Sequence, residues 1–296
     1  MSAAHPMTFI LSARRAVSTA GAILALGLMA ASCQTMPGET FASADTGTFA
    51  GASVNIASLS EVIEREPGNP SAYNVRGTAY GASGRYNEAL ADFDKAIQLD
   101  PQFHQAYANR ALVYRQLGKM DLALKDYDRA ISTEPRYAPA YIGRGNVYRQ
   151  QGQISLALSD FDRATRLQPD DPQGFHNRAL IYQARGLHNF AIEDFTTAIG
   201  LDPGAPEPYH GRGISNYSIG NIDEALNDFN RALEINVRYY EAWTSRGTAL
   251  EAQEDYVQAV AAYNRALSIN GNYQPAKDGL IRLRSKVPGG GILGVR

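Results

Sequence analysis

The chain repeats itself every 34 residues, and that period excludes most ways of folding it. An arginine recurs in six octets: "YNVRGTAY" from Tyr73, "YANRALVY" from Tyr107, "YIGRGNVY" from Tyr141, "FHNRALIY" from Phe175, "YHGRGISN" from Tyr209 and "WTSRGTAL" from Trp243. They mark six units that begin at Pro70, His104, Ala138, Pro172, Pro206 and Tyr240, the last ending at Tyr273. A period of this size means one supersecondary unit that cannot bury its apolar face alone and is stacked on its neighbours.

The pattern within a unit states what that unit is. The fourth residue is always aromatic, the eighth always glycine or alanine, the twentieth and twenty-seventh always alanine, and the twenty-fourth always Phe or Tyr. Fourth, eighth and eleventh residues fall on one face of a first helix, and twentieth, twenty-fourth and twenty-seventh on one face of a second. Small residues let two backbones approach while the rings fill the space beside them. Gly84, Gly118, Gly152, Gly186 and Gly220 end the first helix, and Pro101, Pro135, Pro169 and Pro203 stop the second. The unit is a helix–turn–helix.

This pattern resembles the tetratricopeptide repeat (TPR) over about two-thirds of the chain. The resemblance implies an all-α, right-handed α-solenoid of six 34-residue units that binds peptides or partner proteins on the concave face of its first helices. Departures gather at the end. Asn216 and Leu250 replace the eleventh-position tyrosine, Val237 and Gly271 the proline, and Glu254 the turn glycine, so the last two units are expected to be less regular. A solenoid needs solvated caps. Residues 52–69, with Ile56, Leu59 and Ile63, read as a lone second helix before the first unit, and residues 274–287 as a C-terminal capping helix with Ala276, Leu280 and Leu283 inward. Residues 288–296 read as a loose tail.

An arginine at the seventh position of each unit interrupts an apolar stripe, and a buried charge needs a partner. The twenty-third residue supplies one: Asp92, Asp126, Asp160, Asp194 and Asp228 accompany Arg76, Arg110, Arg144, Arg178 and Arg212, while Ala262 stands opposite Arg246. The expectation is a ladder of bidentate ion pairs, within a unit or across the junction to its neighbour. The competing reading places the arginines in the groove as contacts to acidic ligands, but such contacts would not require matching aspartates.

Partner contacts are expected instead at positions that vary between units. On the concave face these are Asn74, His176 and His210 at the fifth position, Asn146 at the ninth, and Arg115, Arg149, Gln183 and Tyr217 at the twelfth. The Lys–Asn clamp by which some TPR adaptors hold C-terminal carboxylates is missing, because no lysine occupies a fifth position. His176 and His210 could approach a shared ligand, but two imidazoles alone make a poor metal site. No nucleophile–base arrangement or isolated carboxylate pair appears, so no catalytic residues, metal or cofactor are expected. With 28 basic against 30 acidic residues the chain lacks the electropositive footprint of a nucleic-acid binder. Nothing in it points to a small-molecule substrate.

The N-terminus reads separately. Arg14 and Arg15 precede an uncharged stretch, Ala16 to Ser32, which ends in Ala30, Ala31, Ser32 and Cys33. A basic region, an apolar core and small residues make a secretory signal over residues 1–32. "MAASC" resembles the lipobox of bacterial lipoproteins, which implies acylation at Cys33, and Gln34 is associated by that resemblance with an outer-membrane destination. A plain signal-peptidase site or an uncleaved anchor remain the alternatives. Cys33 is the single cysteine, so no intramolecular disulfide forms. Residues 33–51 are small and polar and read as a tether. Together the two resemblances imply a periplasm-facing lipoprotein of the bacterial envelope. It would be an adaptor that recruits proteases or peptidoglycan hydrolases, or else a structural subunit of an outer-membrane or secretion assembly.

Overall fold

The computed structural model describes residues 56–287, which form fourteen α-helices and no strand. The signal, Cys33, the tether and residues 52–55 and 288–296 lie outside the described residues. A lone helix, α1 (Ile56–Arg65), is followed by six pairs and a last helix, α14 (Gln274–Leu283). The first helices of the pairs are α2 (Pro70–Ala82), α4 (His104–Gln116), α6 (Ala138–Gln150), α8 (Pro172–Ala184), α10 (Pro206–Ser218) and α12 (Tyr240–Ala252). The second helices are α3 (Tyr86–Leu99), α5 (Met120–Thr133), α7 (Ile154–Leu167), α9 (His188–Leu201), α11 (Ile222–Ile235) and α13 (Tyr256–Ile269).

Alternation of small and aromatic residues builds the core. The twentieth and twenty-seventh alanines and the twenty-fourth ring are almost completely buried in every unit, from Ala89, Phe93 and Ala96 to Ala259, Tyr263 and Ala266. A Cβ on Gly145 would stand 2.8 Å from the Phe161 ring of its own unit, and one on Gly143 would overlap the Tyr127 ring of the preceding unit. Each ring is thus wedged between two first helices, its own and the next, which is why sixth and eighth residues are short. Tyrosine and phenylalanine serve alike in the wedge, burial pushing the Tyr127 hydroxyl up to about 12.

The expected irregularity at the end does not appear. First helices have 13 residues and second helices 14 in all six units. The turn glycines from Gly84 to Gly220 adopt φ between +72° and +88°, and Glu254 takes the same left-handed conformation at φ 62°. The packed rings hold the register, and Glu254 accepts a backbone that costs a non-glycine residue about 1–2 kcal/mol. Leu250 is buried in place of the tyrosine, and Asn216 uses its amide to reach Asp228 at 3.1 Å.

Both ends are covered. Against the last unit α14 buries Ala276, Leu280 and Leu283, and Arg282 pairs with Glu251 through two hydrogen bonds of 3.0 and 3.1 Å. At the other end α1 packs on α2 and buries Ile63.

Candidate functional site

The arginine series forms one structure repeated five times and left incomplete at the sixth. Arg144 donates from Nε and Nη2 to the two oxygens of Asp160 at 2.8 and 2.7 Å, and from Nη1 to Asp128 at 2.7 Å. Asp160 is sixteen residues ahead in the same unit and Asp128 sixteen behind, on the second helix of the unit before. Arg76, Arg110, Arg178 and Arg212 make the same bidentate grip on Asp92, Asp126, Asp194 and Asp228. Behind them they reach Ser60, Asp94, Asp162 and Thr196. The ladder therefore runs both within the unit and across each junction. Its rung to Ser60 shows α1 standing where a second helix of an earlier unit would stand.

Ring faces complete each rung. The Arg144 guanidinium lies 5.7 and 5.8 Å from the centroids of Tyr141 and Tyr148, the aromatic residues three before and four after it on α6. Asp160 is 5% exposed. Its carboxylate leaves water for a bidentate guanidinium, a geometry that suits arginine and not lysine. Burial, with the Asp128 charge adding, nevertheless leaves its pKa raised despite Arg144. The last rung is incomplete: Arg246 faces buried Ala262, donates from Nε to Asn230 at 2.7 Å, and has its pKa lowered by burial.

With the ladder spent on architecture, the variable positions remain. Successive first helices touch one another along the array, α2 with α4 through to α10 with α12, while no two successive second helices do. The array therefore curves with first helices inside, and their fifth, ninth and twelfth residues form its inner row.

The eight residues expected to meet partners there divide sharply. Asn74 and Asn146 are wholly buried, which corrects their reading as surface contacts: Asn74 accepts from the Asn109 amide of the next unit at 3.1 Å, and Asn146 from Arg149 at 3.3 Å. His210 is also internal, hydrogen-bonded to Tyr239 at 3.0 Å and Ser245 at 2.9 Å, and burial pushes its pKa down to about 4. Gln183 donates across a junction to Gly211 O and Ser215 Oγ, both at 2.8 Å, and Tyr217 packs on the Phe229 cluster. Asn74, Gln183 and His210 are held by the next repeat, because close-packed first helices bring short polar groups within its reach, whereas Asn146 is met from its own helix and Tyr217 packs on its own unit's Phe229.

Arg115, Arg149 and His176 differ. Arg115 is 7% exposed, and burial lowers its pKa, as does the nearby charge of Arg149. Arg149 is partly exposed, its Nε is buried with no acceptor, and burial lowers its pKa. His176 leans on Phe195 at 5.6 Å between ring centroids. Its Nδ1 is buried with no partner, and burial, with Arg149 adding, pushes its pKa down to about 4. Arg115 on α4 and Arg149 on α6 thus place two guanidiniums on the inner row, with His176 on α8 a neutral imidazole near Arg149. Among the described residues no group of three or more His, Cys, Asp or Glu gathers as a metal site would, and no helix is long and apolar enough to cross a membrane.

Models of the tetratricopeptide repeat match residues 70–103, 104–137 and 210–275, and a TPR repeat model matches residues 145–186. Together these matches cover more than half of the chain. The chain belongs to the tetratricopeptide repeat family. A comparison with curated protein sequences returns no match. Similar TPR solenoids occur among solved structures. Cut9 in the APC/C hetero-tetramer Cut9–Hcn1 is 20% identical with a TM-score of 0.71 over 78% of this chain, which spans 46% of that protein's chain. PilF of Pseudomonas aeruginosa is 18% identical with a TM-score of 0.66, covering 74% of this chain and 99% of its own. YrrB, a TPR protein with an unusual peptide-binding site, is 24% identical with a TM-score of 0.52, covering 63% and 96%. At these identities the likeness concerns the fold. TPR proteins are generally non-catalytic scaffolds for protein–protein interaction, and the six-unit inner row is the part of this one that varies.

Proposed function

We propose that this TPR protein is a non-catalytic adaptor of the bacterial envelope that holds partner segments along its inner row. The observation that carries the reading is a division of labour among its polar groups. Five of six seventh-position arginines are each locked to a buried aspartate, whereas Arg149 and His176 on the inner row keep polar atoms without a protein partner. Unsatisfied polar atoms are rare in folded proteins and call for a ligand or a reason. A peptide-binding site in YrrB agrees with this use of the fold.

The envelope part of the proposal rests on the segment before the repeats. The signal pattern and the "MAASC" motif support export and acylation at Cys33, with an outer-membrane destination for a chain carrying Gln34. A membrane-tethered array of six units would bring its partner to the membrane surface, where proteases and peptidoglycan hydrolases are the partner classes in view. The second reading is a structural subunit of an outer-membrane or secretion assembly. It is favoured by the exposed Leu122, Leu156 and Phe190, the nineteenth residues of three successive units, which form an apolar row away from the inner face.

In-cell crosslinking of the tagged full-length chain, with capture from detergent-solubilised envelopes, tests both beside a Cys33→Ser form. Adaptor function predicts a recurrent protease or cell-wall hydrolase at substoichiometric, salt-labile yield, lost without the anchor. A fixed set of assembly subunits at constant stoichiometry makes the chain a structural part. An acyl-chain label that persists in Cys33→Ser refutes the lipoprotein assignment.

A further inference from the structure

We propose that copies of this chain stack end to end, α14 of one copy against α1 of the next, the two helices together completing a repeat. The proposal goes beyond the adaptor reading and concerns the ends of the array, not its inner row. The first support is register. Arg76 reaches Ser60 at 3.0 Å, as later arginines reach back to the twenty-fifth residue of the unit before, and Pro67 falls at the thirty-second position. Helix α1 is therefore the second helix of a unit whose first helix is not among the described residues. A Cβ on Gly279 would overlap the Tyr263 ring, as one on Gly143 would overlap Tyr127. Helix α14 is therefore the first helix of a unit with no second helix among the described residues.

The second support is what these helices leave exposed. Val62 occupies the twenty-seventh position, where all six complete units bury an alanine, yet it is 39% exposed. Ile281 occupies the eighth, where the six units bury glycine or alanine, and it is 55% exposed. A solenoid end should show a polar outer face, but each of these shows a branched apolar residue where paired helices pack. The adjoining sequence suits neither face. Residues 288–296 open with Pro-Gly-Gly-Gly, poor helix formers, and residues 36–48 would put Glu39 at the aromatic fourth position. The third support is charge. Residues 56–66 carry Glu61, Glu64 and Glu66 against Arg65, and residues 274–287 carry Lys277, Arg282, Arg284 and Lys286 against Asp278. Arg65 pairs with Glu61 and Arg282 with Glu251, which leaves Glu64 and Lys277 among those without an ion pair among the described residues. The helices of one unit run antiparallel, so the pairing brings the Lys277 end of α14 to the Glu64–Glu66 end of α1. Ile281 and Val62 are larger than the residues they replace, so the two helices stand further apart than inside a unit.

One helix pair makes a small, weak interface, so the test is cysteine crosslinking between two differently tagged full-length chains in the cells that express them. One chain carries Val62→Cys and the other Ile281→Cys, a short bis-maleimide joins them, and wild type, whose single cysteine is Cys33, sets the background. Both positions are exposed, so the variants should keep the wild-type thermal melt. Cells with both chains should give a dimer adduct carrying both tags at several times the background. Either variant alone should give none above it, because a head-to-tail contact joins two different surfaces. A chain with both substitutions should give a ladder of dimer, trimer and larger adducts. Lys277→Glu with Arg284→Glu in the Ile281→Cys chain should cut the mixed adduct several-fold, and Glu64→Lys with Glu66→Lys in the other chain should restore it. A mixed adduct no stronger than background, an equal adduct from either variant alone, or a yield indifferent to charge reversal overturns the proposal. Each of these results would leave the adaptor reading standing, since the inner row takes no part in the contact.

Discussion

Replacing Arg144 by alanine should cost far more than the same change at Arg246, although the two occupy one position in the repeat. Arg144 neutralises Asp160, whose carboxylate is 5% exposed and accepts both of its bidentate bonds from this guanidinium. Removing one member of such a pair leaves an uncompensated buried charge, which costs about 3–5 kcal/mol. The bond to Asp128 adds little, because that carboxylate is 57% exposed. Two ring contacts add about 0.5–1 kcal/mol each. A loss near 4 kcal/mol corresponds to about 10 °C in a chain of this size. Arg246 has no buried carboxylate opposite it, only Ala262 and the Asn230 oxygen, so its loss should cost about 1 kcal/mol. Thermal and urea unfolding of the two variants, with Arg144→Ala/Asp160→Ala beside them, separates charge from packing. The double variant should recover much of the single variant's loss, since it removes the stranded carboxylate. Equal melting temperatures for Arg144→Ala and Arg246→Ala, or a double variant less stable than Arg144→Ala, would refute the ladder as the array's structural tie.

Glu254→Gly should raise stability by about 1 kcal/mol, read by urea unfolding, because it removes a side chain from a left-handed backbone at φ 62°. Gly143→Ala should cost about 1–3 kcal/mol through overlap with Tyr127, whereas Gly200→Ala, with nothing within 4 Å, should be neutral or stabilising; equal effects in a thermal melt would contradict the wedged-ring core. Acid should weaken the array before its carboxylates titrate. His176 and His210 have folded pKa values pushed down to about 4 against 6.5 unfolded, so their contribution is complete above pH 6.5 and is lost as pH falls towards 4. That amounts to about 2–3 kcal/mol per histidine by pH 4.5. His210→Gln should flatten the slope of unfolding free energy between pH 6.5 and 4.5, and an unchanged slope would show His210 is not buried neutral.

Most of the fold was legible because the 34-residue period places small residues and rings at fixed offsets, and a ring wedged between two first helices demands that spacing. The ladder was half legible. Arginine and the twenty-third aspartate recur together in five units, with Ala262 opposite Arg246 in the sixth, but the pattern does not single out the cross-junction partners Asp94, Asp128 and Asp162. Their signal was present in "DFD", "DYD" and "DFD" at residues 92–94, 126–128 and 160–162. The inner row was the least legible part. Periodicity assigned Asn74, Asn146 and His210 to a face, but it does not report how near the next repeat comes. Asn74 with Asn109, and His210 with Ser245, are fifth-to-sixth pairs 35 residues apart, a spacing that would have marked them as junction contacts. The last two units, expected to be less regular though still in frame, keep the helix lengths of the others, since packing of Phe229 and Tyr263 fixes them whatever the turn residue.

Site-specific photocrosslinking in living cells tests the central claim most directly. A photoreactive residue is placed at Leu180 or Tyr217 on the inner row, or at Leu156 or Phe190 on the exposed edge, in the otherwise unchanged full-length chain. The account predicts partner adducts from the inner-row positions, diminished by Arg149→Gln, and few from the edge. Adducts formed from Leu156 and Phe190 alone would place the working surface on the outer edge and contradict the inner row as the binding site.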